Sequence, residues 1–103
     1  MKKSMVLVMA AALLGVQGLA QAADAAAGKA KAAMCAACHG PVGVSPNPLY
    51  PNLAGQKDKY ILKQLQDWKS GARANNPMMT AMAKPLTDAD MENLAAYFSS
   101  LKP

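Results

Sequence analysis

Histidine occurs once in this chain of 103 residues, as His39, and cysteine twice, as Cys35 and Cys38. A tetrahedral zinc site takes three or four protein ligands, and the chain has no second Cys or His pair to complete one. Arginine is also single, at Arg73, whereas a nucleic-acid surface needs a denser stripe of Lys and Arg with a recognisable motif, so that partner class is set aside. β-Branched residues are few and aromatic residues make up 5% of the chain, which argues against a strand-built core. Ala, Leu and Met stand in their place, and they predict an all-α fold.

An apolar run long enough to span a bilayer comfortably is also missing. Met5 to Val16 is short and ends in small residues, with Lys2 and Lys3 ahead of it and Ala20-Gln21-Ala22 behind it as a small-x-small cleavage site. This pattern predicts a secretory signal peptide over residues 1–22, cleaved after Ala22, periplasmic export of residues 23–103 as one domain, and no stable membrane insertion afterwards. Loss of Lys2 and Lys3 takes the formal charge from +5 to +3, only modestly basic. A domain this short builds a limited core unaided, so something else should help stabilise it.

Asp24 can cap a first helix, alanine-rich and running to about Cys38, with Lys29 and Lys31 on a solvated side and Gly40-Pro41 ending it. Gly28 within it costs about 1 kcal/mol relative to alanine; a close helix crossing and a tolerated glycine in a fraying first turn are both open readings. Residues 40–56 hold four prolines and three glycines, which forbids regular helix, while Leu49, Tyr50 and Leu53 give the segment apolar groups to bury. An ordered, wrapped loop is expected there. From Asp58 to Ser70, Ile61, Leu62, Leu65 and Trp68 recur at helical spacing, Gly71 stands at the end, and Lys57, Lys59, Lys63 and Lys69 lie on a solvated outer face. Residues 71–86 read as loop, with Asn75-Asn76-Pro77 before the cluster Met78, Met79 and Met82. Thr87 and Asp90 form a capping-box pattern for a last helix with Met91, Leu94, Ala95, Phe98 and Leu101 on one stripe.

Cys35-Ala36-Ala37-Cys38-His39 is the most specific motif in the chain. Cys-x-x-Cys alone fits a disulfide, a thioredoxin-like pair or half a zinc site, but a βαβ order is absent, and the adjoining imidazole fits covalent attachment of a c-type haem. The two thiols take the two vinyl carbons and His39 binds the iron. A buried macrocycle would also supply the apolar surface that a small, aromatic-poor core lacks. With one histidine a bis-histidine site within the chain is excluded, and a methionine thioether from the 78–82 cluster is the standard sixth ligand of an electron-transfer haem. The remaining methionines would be packing residues.

These features resemble the small class I cytochromes c of the c(4)/c(553) type, whose single-haem module also occurs duplicated in dihaem proteins. The resemblance covers nearly all of residues 23–103. It rests on Cys35 to Gly40, Pro51-Asn52-Leu53-Ala54-Gly55-Gln56, Tyr60 to Asp67, Met78-Met79-Thr80-Ala81-Met82 and Leu94 to Ser100. It implies three main helices and loops wrapped around one haem c, with Cys35 and Cys38 as thioether residues, His39 as proximal ligand and Met79 as distal ligand, followed by Met82 and then Met78. It also implies that the Pro51 carbonyl accepts a hydrogen bond from the proximal imidazole, and that Gly28 sits at a helix crossing near Tyr97. Trp68 reads as a core aromatic, with a place near a haem propionate as the other reading.

The function so implied is that of a monohaem electron carrier, not an enzyme, shuttling single electrons between transient redox partners of a respiratory chain as a monomer or weak dimer. Once His39 is on iron no histidine remains as a general base, and a six-coordinate iron offers no open site. The alternatives are a haem enzyme with a labile methionine, acting as a peroxidase or gas binder, and an electron-entry subunit of a larger complex. N-terminal sequencing of the exported protein should start at Ala23; a chain starting at Met1 would overturn the signal-peptide reading.

Overall fold

The computed structural model describes residues 23–103; residues 1–22, expected to be a signal peptide, lie outside the described residues. Helix α1 (Ala25–Lys31) starts where the Asp24 carboxylate accepts from the amides of Ala26 and Ala27, at 2.9 and 3.1 Å. These bonds satisfy donors that have no partner within the helix. The predicted single helix to Cys38 is instead a relay: α1 tightens into a 3₁₀ turn over Ala32–Cys35 and resumes as α2 (Ala36–His39). Alanine favours helix without fixing the spacing of its hydrogen-bond ladder, and tighter turns are common as connectors. Gly40 then stops the winding at φ 84 and ψ 158, a conformation open essentially only to glycine.

The proline-rich stretch that follows is an ordered loop folded back on itself. The Gly43 carbonyl accepts from the amides of Leu53 and Ala54, at 2.7 and 3.0 Å. The Ser45 hydroxyl donates to the Cys38 carbonyl, and the Asn52 side chain accepts from the Ser45 amide. At its far end the Gly55 amide donates to the Phe98 carbonyl, tying the loop to the last helix.

Helix α3 (Asp58–Ser70) buries Ile61 and Trp68, with Leu62 and Leu65 half-buried, and ends at Gly71 as its periodicity predicts. Its lysines are less uniform than predicted. Lys63 pairs with Asp67 one turn on, but Lys69 leaves the solvated face to donate to the Leu86 carbonyl, a reach its four-carbon stem permits.

Residues 77–83, read from sequence as loop, form helix α4 (Pro77–Ala83). The Asn76 side chain caps it by accepting from the amides of Met78 and Met79. Pro77 takes the first helical position, where its missing N–H costs nothing. Asn and Pro serve loops and helix starts alike, so Asn75-Asn76-Pro77 hides the start of a helix among loop signals.

Helix α5 (Asp88–Ser100) is the backbone of the core. Thr87 and Asp90 make the predicted capping box, each side chain accepting the other's amide at 3.0 Å. Met91, Leu94, Ala95, Tyr97 and Phe98 are buried. The expected α1–α5 crossing is present and close: a Cβ on Gly28 would collide with the Asn93 carbonyl oxygen and lie 2.9 Å from Cβ of Tyr97. Asn93 also accepts from the Asp24 amide at 2.8 Å, and Lys31 pairs with Asp90 at 3.5 Å across the same crossing. The described residues contain no strand.

Gly28→Val should force α1 and α5 apart, cost about 1–3 kcal/mol and lower the melting temperature by at least about 5 °C in thermal denaturation. Asp90 is held below its ordinary pKa of 3.8, chiefly by the Thr87 amide and then by the Thr87 hydroxyl and Lys31, against a smaller opposing effect of burial. A lowered folded pKa stabilises above the unfolded value and is lost as pH falls through the folded one. The melting-temperature gap between the wild type and Asp90→Ala should therefore be full at neutral pH and narrow below pH 3.8.

Candidate functional site

The relay from α1 to α2 delivers Cys35, Cys38 and His39 to the edge of a cleft of about 580 Å³. The same cleft is bordered by Pro51, by Met78, Met79 and Met82 of α4, and by Leu94 and Phe98 of α5. Residues far apart in sequence thus converge on one apolar space, of a size that suits a cofactor, for which ~300–1,000 Å³ is usual.

His39 is buried, and its Nδ1 lies 2.8 Å from the carbonyl oxygen of Pro51. A carbonyl can only accept, so Nδ1 carries the proton and donates. The ring is then the tautomer whose Nε2 keeps its lone pair, the form a metal-binding imidazole needs, and the hydrogen bond raises the basicity of that nitrogen. The Pro51 carbonyl is itself held in place by the loop closure at Gly43 and by the Asn52–Ser45 bond.

Both cysteines are half-buried. Burial first, and the nearby Cys38 second, push the Cys35 thiol above its ordinary value of 9.0. That is opposite to the lowered thiol pKa on which a dithiol redox motif depends. No group of three or more His, Cys, Asp or Glu residues among the described residues could hold a metal ion.

The three methionine thioethers of α4 border the same cleft. Met79 and Met82 are half-buried, and Met79 packs against the core, whereas Met78 is 59% exposed. The cap on α4 acts directly at this point, because Asn76 fixes the amides of Met78 and Met79.

One charged side chain with no place in the sequence-based site also borders the cleft. Arg73 lies over the ring of Trp68, 4.3 Å from ring centroid to guanidinium carbon, and donates to Oε1 of Gln64 at 2.7 Å. In the sequence it counts only as the lone arginine. The signal that marks it is its place just beyond the C-terminal end of α3, within reach of Trp68 and Gln64 on that helix. Trp68 is buried and belongs to the core while also lining the cleft.

Taken together, two thiols, one imidazole with a fixed tautomer, thioethers and an apolar cleft with a single cation are a donor set and container that fit a covalently attached haem.

Residues 25–102 match the cytochrome c family. Cytochrome c4 of Stutzerimonas stutzeri is 51% identical over 106 residues, which cover 94% of this chain and 50% of that protein. A thiosulfate dehydrogenase electron acceptor of Thiomonas intermedia is 46% identical over 97 residues, covering 93% of this chain and 44% of its own. The crystal structure of reduced recombinant cytochrome c4 from Pseudomonas stutzeri superposes with a TM-score of 0.71 at 52% identity, over 79% of this chain and 47% of that one. The chain thus spans about half the length of these relatives.

Proposed function

Since the chain belongs to the cytochrome c family, we propose that it is a monohaem electron carrier that passes single electrons between redox proteins and performs no substrate chemistry of its own. The observation that carries this reading is the His39–Pro51 hydrogen bond, which leaves Nε2 of a buried imidazole free beside both cysteines and the methionine-bearing helix. In this reading Cys35 and Cys38 anchor one haem c through thioethers, His39 is the proximal ligand, and Met79 is the distal ligand. The haem supplies the one-electron iron couple.

The protein's part is to hold that couple still. Pro51 fixes the imidazole plane through Nδ1, and Asn76 fixes the turn from which Met79 projects. Leu53, Ile61, Leu65, Leu94 and Phe98 line the cleft with apolar surface that would pack against the haem, and a soft thioether in an apolar setting favours the reduced iron. Met79 takes precedence over Met82 on its place next to the Asn76 cap and against the core.

The carrier acts in the periplasm in this reading, after cleavage behind Ala22. No described helix is long and apolar enough to cross a membrane. A second reading, as an electron-accepting module that works with a dedicated oxidoreductase, draws on the likeness to a thiosulfate dehydrogenase electron acceptor. A stable co-purifying enzyme distinguishes it from a free shuttle.

Haem staining on a denaturing gel should show covalent haem. Met79→Ala should abolish the weak sulfur-to-iron charge-transfer band of the oxidised protein and open the reduced iron to carbon monoxide, while Met82→Ala should keep the band. Retention of the band in Met79→Ala moves the ligand to another methionine.

A further inference from the structure

Ala23, the residue behind the expected cleavage site, lines a recess of about 120 Å³ between α3 and α5 that shares no residue with the haem cleft. Leu62, Ala95 and Ala96 give the recess apolar surface, and its charged groups are Asp58 and Lys59 at the start of α3 and Glu92 on α5. Ala23 is held in place through its neighbour, because the Asp24 amide donates to Oδ1 of Asn93 at 2.8 Å, one residue along α5 from Glu92. The Asp24 carboxylate is already engaged by the amides of Ala26 and Ala27, and neither Asp58 nor Glu92 forms an ion pair among the described residues. Three carboxylates and one lysine therefore surround the Ala23 nitrogen, a formal excess of two negative charges. In the uncut chain that nitrogen is a neutral amide. Hydrolysis of the Ala22–Ala23 peptide bond leaves a carboxylate on Ala22 and an ammonium on Ala23, and an ammonium ahead of a helix opposes the helix dipole unless anions offset it.

We propose that this recess is the seat of the chain's own processed N-terminus, with the Ala23 α-ammonium held between Glu92 and Asp58. This rests on the cleavage reading above. The ammonium ties the start of α1 to α3 and α5 at once, on the same pair of helices that cross at Gly28, and the charge that does so exists only after the signal peptide is removed. Lys59 keeps the recess from becoming over-negative. Ala23 is exposed, so the ammonium is stabilised as in a surface ion pair and salt screens it.

The test uses the exported, haem-loaded protein, with its α-amine acylated by a limiting reagent and the N-terminal peptide read by mass spectrometry. Only the uncharged amine reacts, and an α-amine ordinarily titrates at about 7.7–8.0. Glu92→Gln combined with Asp58→Asn keeps side-chain size and removes the charge. It should speed the reaction at pH 7 about three-fold and leave the rate at pH 10 unchanged. Lys59→Gln removes the opposing cation and should slow the reaction at pH 7. Lys84→Gln, exposed and outside the recess, should leave it as in the wild type. A rate that the carboxylate variant does not move, or moves equally at pH 7 and pH 10, overturns the proposal, because cover without charge pairing acts alike at both.

Thermal denaturation gives a second measurement. An ammonium held by anions stabilises the fold below the ordinary α-amine range, and that contribution is lost as pH rises through the folded value. The melting-temperature gap between the wild type and the carboxylate variant should therefore narrow from pH 7 to pH 10; a constant gap overturns the proposal. N-terminal sequencing of the same sample separates the two ways of failing. A start other than Ala23 overturns the proposal by removing the cleavage on which it rests, whereas a start at Ala23 with an unmoved rate overturns the seat itself.

Discussion

The crossing of α1 and α5 is the constraint on which the other positions depend. Gly28 admits the Asn93 carbonyl and Tyr97 to a distance that any side chain would forbid, and Asp24, Asn93, Lys31 and Asp90 tie the two helices on either side of that point. The contact lies far from the cleft chemistry in sequence but not in consequence. Helix α1 leads through one 3₁₀ turn to Cys35, Cys38 and His39, while α5 sends Leu94 and Phe98 into the same cleft. A change in the crossing angle would therefore move the haem-attachment motif relative to the wall it faces.

The loop between α2 and α3 closes the structure from the other side. Its prolines and glycines exclude regular structure, yet its backbone amides find partners at Gly43, Asn52 and Phe98, and the Ser45 hydroxyl donates to the Cys38 carbonyl. The result is a single carbonyl, that of Pro51, held at hydrogen-bonding distance from a buried ring. Irregular backbone made rigid in this way can orient a ligand as firmly as a helix can, because what matters is how many of its neighbours are fixed.

Much of this was legible in the sequence, for identifiable reasons. Asp24, Gly40, Gly71 and the Thr87–Asp90 box carry their structural roles in their chemistry, and the stripe from Met91 to Phe98 has one periodicity and one interpretation. Cys35 to His39 announces its chemistry by spacing alone. What was hidden had two sources. Helix α4 opens on Asn76-Pro77, residues that serve loops equally well, and is too short for a periodic pattern to outweigh them. Lys69 and Arg73 look like ordinary solvated charges until tertiary structure brings a free carbonyl to one and an aromatic face to the other.

Helix α4 is seven residues long, well below the roughly 12–15 at which an isolated helix becomes even marginally stable in water. It persists because Asn76 holds its first turn and Lys69 anchors the Leu86 carbonyl just beyond its last. In the proposed site a side chain of this helix binds iron, and the coordination bond would be a third fastening on a segment with little cohesion of its own. Breaking that bond and fraying the helix are then thermodynamically one event. The ease with which the iron of that proposed site exchanges its sixth ligand would then be a measure of local unfolding, set as much by the three hydrogen bonds at the helix ends as by the affinity of sulfur for the metal.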